Sequence, residues 1–155
     1  MKLQIFYLIV FLVINFGGLA IGNYLMNNGP QSNWYIGLNK APWTPPGWVF
    51  GAAWTLIMIC FSIYLAKQFT STNQLKFISL IFLIEFILNV SWNYIFFSQH
   101  WVLVALIVIV LLTALIFYYF FGISEHVGKL KFLLLPYMIW LCIATSLNMY
   151  VLIHN

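Results

Sequence analysis

The sequence predicts an all-α membrane protein: a bundle of five transmembrane helices with a long first extramembrane loop acting as a lid. Three observations predict it. Of the 155 residues, 65% are apolar and only 5% are charged, whereas a soluble domain is about 45–50% apolar and about 25% charged. Five segments reach the about 20 apolar residues needed to cross hydrocarbon, at roughly 3–22, 47–66, 77–97, 101–121 and 131–153. A single long connector, 23–46, is rich in Asn, Gly and Pro, while the other connectors are short. Residues 1–155 therefore read as one five-helix transmembrane domain.

The first span begins at Lys2 and passes through Gly18-Leu19-Ala20, a small-x-small pattern that also fits a signal-peptide cleavage site. The run is long enough to span, and Gly18 and Gly22 give a small-xxx-small face suited to close helix packing. A retained helix is expected, and intact mass distinguishes the two readings. A connector as long as 23–46 is usually functional or disordered, and its tryptophans argue for order. Within it Lys40–Pro46 forms a stiff, extended lid, because each proline fixes its own φ and biases the preceding residue away from helix. Pro46 and Gly47 then open the second span, where a missing N–H costs little.

Inside the spans, polar residues recur at steps of three and four and so share helix faces. The second span carries Trp54, Met58, Ser62 and Leu65, and the third Glu85, Asn89, Trp92, Asn93 and Phe96. The fifth carries Tyr137, Trp140, Ala144 and Asn148, while Asn15 and Gly18 make a thinner stripe in the first. The fourth span has only Thr113 as a polar interior residue and reads as a largely lipid-facing or packing helix. No internal repeat divides the chain.

The charge pattern excludes several functions. The six basic residues are all lysines, set against Glu85 and Glu125, too sparse and scattered for nucleic acid, which needs clustered Lys and Arg. They read instead as topology signals. Lys2, Lys67, Lys76, Lys129 and Lys131 fall on one side and Lys40 alone on the other, which places the amino terminus in the cytoplasm and the first loop and carboxyl terminus outside. With no transit peptide, the lysine bias suggests a bacterial plasma membrane. Cys60 and Cys142 lie in apolar runs and offer neither metal spacing nor a disulfide framework. There is no nucleophile-base set, acidic pair or phosphate loop, and His100, His126 and His154 sit at span edges or in connectors.

Polar residues at membrane depth face other helices or a cavity. Their bland role is a hydrogen bond across helices, about 0.6 kcal/mol each, and tryptophans near span ends, here Trp34, Trp43, Trp48 and Trp101, serve as interface anchors. Trp54 and Trp140 lie deeper and on the polar face, where each indole N–H needs a partner. Aromatic walls with a few amides form a small-molecule site, so the expected ligand is large, flat and mostly apolar. No cofactor is required; with no axial histidine, a metal-free porphyrin fits better than haem. Glu85 has no lysine or arginine at its depth, so it is expected to be neutral or bonded to an amide such as Asn89; the sharper alternative is a proton-coupled site for a cation.

Three motifs in order, Pro42-Trp43-Thr44-Pro45-Pro46-Gly47-Trp48-Val49-Phe50-Gly51 with Trp54, then Leu88-Asn89 with Trp92 and Phe96-Phe97, then Pro136-Tyr137 with Trp140 and Ala144-Thr145-Ser146-Leu147-Asn148, make the chain resemble the translocator protein family. This family is also called the tryptophan-rich sensory proteins or peripheral benzodiazepine receptors. The resemblance covers nearly the whole chain. It implies a five-helix bundle, often dimeric, that binds protoporphyrin IX and isoquinoline or benzodiazepine-type drugs, and cholesterol in animal members. Carried over, it makes Trp54, Asn89, Trp140 and Ala144 pocket wall and Pro42 and Trp43 lid.

The chain departs from the family pattern at Ala52-Ala53 before Trp54, which removes a proline kink, and at Met58, where a tyrosine is frequent. It departs again at Glu85, where an amide is common. After Tyr150 there is no Lys or Arg, so the proposed cholesterol motif is incomplete. Three functions are in play. One is a receptor or sensor using Trp54, Asn89, Trp92, Trp140, Ala144, Asn148, Glu85, Met58, Pro42 and Trp43. The second is a light-dependent protoporphyrin-degrading enzyme using Trp54 and Trp140, and the third a transporter with Glu85 as proton-coupling carboxylate.

Overall fold

The computed structural model describes residues 2–155, and every regular element among them is helical. Helix α1 spans Lys2–Leu25. A 3-10 turn at Gly29–Gln31 and the short α2 (Asn33–Gly37) lie in the lid, followed by α3 (Gly47–Ser71). Helix α4 (Leu75–Asn93) runs on into a π-helical turn at Tyr94–Ser98; α5 spans Val102–Gly122, and a 3-10 stretch at Glu125–Leu134 leads into α6 (Leu135–His154). Five of these helices are long and apolar enough to cross a bilayer, as the composition predicts. Helix α3 continues past Ala66 to Ser71, because a drop in hydropathy marks the edge of the hydrocarbon and not the end of a helix, whose backbone bonds are local.

The helices touch in a ring, in the cyclic order α1, α3, α6, α5, α4. Alternating chain direction sets the contacts. Antiparallel α1 and α3 meet through Tyr7 and Phe11 against Phe69 and through an Asn15 Nδ2 to Ser62 Oγ hydrogen bond of 2.9 Å. Asn15 and Ser62 thus form a polar bond between helices, the bland role foreseen for such residues. Parallel α1 and α4 approach closely because Gly18 and Gly22 have no side chain. A Cβ on Gly18 would come within 2.7 Å of the Phe86 ring, and one on Gly22 within 2.7 Å of Asn93 Nδ2. In lipid such close approach, with its dispersion contacts, is a main source of helix association.

The centre is aromatic. The Phe61 ring contacts Tyr64, Phe82, Tyr119 and Tyr137 at centroid distances of 5.5–6.3 Å, and Phe61, Tyr64, Tyr119 and Tyr137 are all buried. At the end away from the lid, the chain leaving α5 is pinned by polar bonds. Tyr64 and Ser124 hydroxyls lie 2.7 Å apart, Ser124 Oγ also donates to the Tyr119 carbonyl, and Gln68 Nε2 donates to the Ile123 carbonyl at 2.8 Å.

A bulky residue at Gly22 should therefore act very differently from one at Gly17, where a Cβ meets nothing within 4 Å. Gly22→Leu is expected to destabilise the detergent-solubilised protein by about 1–3 kcal/mol through overpacking, and Gly17→Leu to leave it nearly unchanged. Thermal unfolding of the two variants checks the difference.

Candidate functional site

The lid owes its shape to local chemistry. Asn27 and Asn28 adopt positive φ (49° and 58°), a region that Asn tolerates better than most residues, and turn the chain out of α1. Ser32 then caps α2: its Oγ accepts from the Tyr35 N–H at 3.2 Å and donates to the Gly29 carbonyl at 2.7 Å. Beyond α2 the proline-rich segment crosses back to α3. It is fastened to α6 by Trp43 Nε1 donating to Ser146 Oγ at 3.1 Å. A backbone N–H at Asn39 also donates to Asn155 Oδ1 at 2.8 Å.

Beneath the lid lies a cavity of about 50 Å³. Tyr35, Lys40 and Thr44 form its roof, Phe50 of α3 and Trp92, Phe96 and Phe97 of α4 and its π turn form aromatic walls, and Ala144, Leu147, Asn148 and Val151 of α6 complete it. The π turn matters here. Its wider spacing, with Gln99 N–H donating to the Tyr94 carbonyl at 3.1 Å, is the kind of helix distortion that recurs at functional sites, and it brings the adjacent Phe96 and Phe97 to one cavity. Trp92 stacks on Phe96 at 5.1 Å. Asn148 fixes the floor: its Oδ1 accepts from Trp92 Nε1 at 3.1 Å, and its Nδ2 donates to the Val102 carbonyl at 3.0 Å.

Lys40 supplies the cavity's one charge. Its ammonium donates to the Ile36 carbonyl at 3.2 Å and lies 4.8 Å from the centroid of the Tyr35 ring, a cation–π arrangement. Burial pushes the Tyr35 phenol up from its ordinary range, which keeps it a neutral hydroxyl. The chemistry on offer is stacking, one amide, one cation and the hydroxyls of Tyr35 and Thr44.

Of the residues expected from sequence, Trp92, Ala144 and Asn148 line this cavity. Trp140 stands one layer behind it, 6% exposed and edge-on to Phe50 at 5.1 Å. Trp54 is deeper still, edge-on to Tyr137 at 5.8 Å. The Asn89 carbonyl accepts from Asn93 at 3.4 Å, outside the cavity wall. Trp43 is 55% exposed and acts through its bond to Ser146, and Pro42 is exposed beside it.

Three expectations are corrected. Met58 does not line this cavity: it is 2% exposed in the apolar core, where the bundle centre is closed by aromatic rings. Glu85 is not held by Asn89. Its Oε1 accepts the Tyr137 hydroxyl at 2.6 Å, because α4 and α6 run parallel and bring these two residues to the same depth. Trp34 is more than an interface anchor, since its ring stacks on His100 at 4.0 Å and meets Phe96 edge-on. Trp48 and Trp101 are 75% and 58% exposed.

Tyr35, Lys40, Thr44, Phe50, Phe97, Leu147 and Val151 join the site through the fold and are not among the residues expected from sequence. Two of them do carry a signal: Phe50 is one turn before Trp54 on the same stripe, and Val151 lies one turn beyond Asn148.

A family model described as the TspO/MBR family matches residues 8–154, nearly the entire chain. The protein belongs to the TspO/MBR family. Its relatives include the tryptophan-rich protein TspO of Archaeoglobus fulgidus, 32% identical over 79% of this chain and 80% of that one. The tryptophan-rich sensory protein of Cereibacter sphaeroides is 33% identical over 74% and 72%. The human translocator protein is 29% identical over 84% and 79%. This TspO/MBR member is thus a membrane protein with relatives in archaea, bacteria and animals.

The Glu85–Tyr137 bond yields a prediction for the core of this TspO/MBR bundle. Tyr137→Phe leaves a buried carboxyl without its donor and should cost about 1–3 kcal/mol. Glu85→Gln keeps an acceptor for the tyrosine and should stay within about 1 kcal/mol of the parent. Denaturation in detergent measures both; equal losses would show that the hydrogen bond is not what stabilises the pair.

Proposed function

We propose that this protein is a membrane receptor or sensor for flat, apolar, carboxylate-bearing ligands of the porphyrin type, with protoporphyrin IX as the representative. The observation that carries the reading is the company Lys40 keeps. A single ammonium roofs a cavity whose walls are otherwise Trp92, Phe96, Phe97 and Phe50 and whose floor is the Asn148 amide. Aromatic faces suit a tetrapyrrole ring, and a lone cation at the mouth suits a propionate through a charge-assisted bond. A sensory role accords with the name of the Cereibacter sphaeroides relative, tryptophan-rich sensory protein. The lysine distribution supports an orientation with the lid on the outer face.

The closed cavity of about 50 Å³ is far below the roughly 300–1,000 Å³ of a site for a drug-sized ligand. Binding therefore requires the lid or the upper helix ends to move.

Two measurements test the proposal. Protoporphyrin IX should quench the tryptophan fluorescence of the purified protein, and Lys40→Gln should weaken its affinity about tenfold, about 1.4 kcal/mol, while leaving protoporphyrin dimethyl ester unaffected. Equal effects on both ligands would remove the role given to Lys40, and no saturable quenching would remove the reading itself. Trp43→Phe deletes the lid's bond to Ser146 and should speed ligand association severalfold in stopped-flow measurements.

A further inference from the structure

A second cavity is at the end away from the lid. About 550 Å³ in volume, it lies between the end of α5 and the 3-10 stretch and opens to the surroundings. Its walls combine three aromatic rings, Phe120, Phe121 and Phe132, with two lysines, Lys129 and Lys131, and one carboxylate, Glu125. Its frame is fixed. Ser124, 3% exposed, is held by Tyr64 and by the Tyr119 carbonyl, and the neighbouring Ile123 carbonyl is held by Gln68. Lys131 is also directed: its ammonium lies 5.0 Å from the Phe120 centroid and 5.8 Å from that of Phe132. Glu125 and the two lysines share the cavity without an ion pair forming between them among the described residues.

We infer that this cavity is a binding site for a phospholipid headgroup of the phosphatidylethanolamine type. Three features select that occupant. The cavity is at the end of membrane-spanning helices, where headgroups lie. Its charges have both signs, so Lys129 and Lys131 can hold the phosphodiester while Glu125 accepts from the primary ammonium. Its aromatic wall is exposed, Phe121 by 74% and Phe132 by 53%, which gives acyl chains an apolar surface to lie against. A headgroup carrying only negative charge would leave Glu125 opposed, and a quaternary ammonium could not donate a hydrogen bond to it.

Delipidated full-length protein in detergent, titrated with phosphatidylethanolamine, phosphatidylglycerol and phosphatidylcholine of identical acyl chains and read by native mass spectrometry, tests the site. Phosphatidylethanolamine should bind severalfold more tightly than the other two. The double variant Lys129→Gln/Lys131→Gln should lose about tenfold in affinity for phosphatidylethanolamine. Glu125→Gln should still bind phospholipid but lose the preference for phosphatidylethanolamine over phosphatidylglycerol. Glu125 and Lys129 are exposed and Lys131 is half-buried, and far-UV circular dichroism reports that the variants remain folded. Equal affinity for the three lipids, a preference for phosphatidylglycerol, or a phosphatidylethanolamine preference unchanged by Glu125→Gln would overturn the inference.

Discussion

Asn148 is the residue on which the upper half of this bundle turns. Hydrocarbon gives helices no hydrophobic reason to associate, so their relative placement falls to close packing and to the few polar bonds that cross between them. Asn148 uses both ends of its amide, accepting from Trp92 of α4 and donating to the first carbonyl of α5. Three helices are thereby set at one depth, directly below the lid. Such bonds are individually modest, on average about 0.6 kcal/mol and at most about 1.7, but they are directional. Their effect is to fix where the floor of the cavity lies, more than to raise overall stability.

Below that floor the interior is filled. Phe61 is the hub of an aromatic cluster drawn from α3, α4, α5 and α6, and edge-to-face ring pairs contribute roughly 0.5–1.5 kcal/mol beyond simple burial. Glu85 is sealed into this region by Tyr137. The middle of the bundle is therefore filled, and the cavity under the lid and the one at the opposite end differ in charge: Lys40 alone in the first, Lys129 and Lys131 with Glu125 in the second.

The fold was legible in the sequence because a bilayer admits few solutions. Once five apolar runs are counted, helices follow, since lipid-exposed backbone must satisfy itself. Which face of α4 and α6 points inward was legible too, from Trp92, Ala144 and Asn148 at helical spacing, whereas the buried face of α5, with Ile109, Leu112 and Ile116, carries no polar mark. Depth was not. A stripe specifies an azimuth around a helix axis, and the same stripe that lines the cavity at Asn148 packs the core at Tyr137 and carries Trp140 between them. Met58 and Glu85 were misplaced for that reason. The lid contributions of Tyr35 and Lys40 depend on tertiary folding of a loop, and the π turn on a local change of helical pitch; neither leaves a periodic trace.

The two halves of the lid are held by unlike means. Its first half is wedged: a Cβ on Gly29 would come within 2.5 Å of Phe97, and Trp34 lies stacked on His100. Its second half is joined to α6 by hydrogen bonds of Trp43 and Asn39, at the surface, where water competes for the same donors and acceptors. A steric wedge must be unpacked as a body, whereas exposed hydrogen bonds exchange one at a time. The lid is accordingly held by packing on its α4 side and by exchangeable hydrogen bonds on its α6 side, so its second half costs less to release than its first.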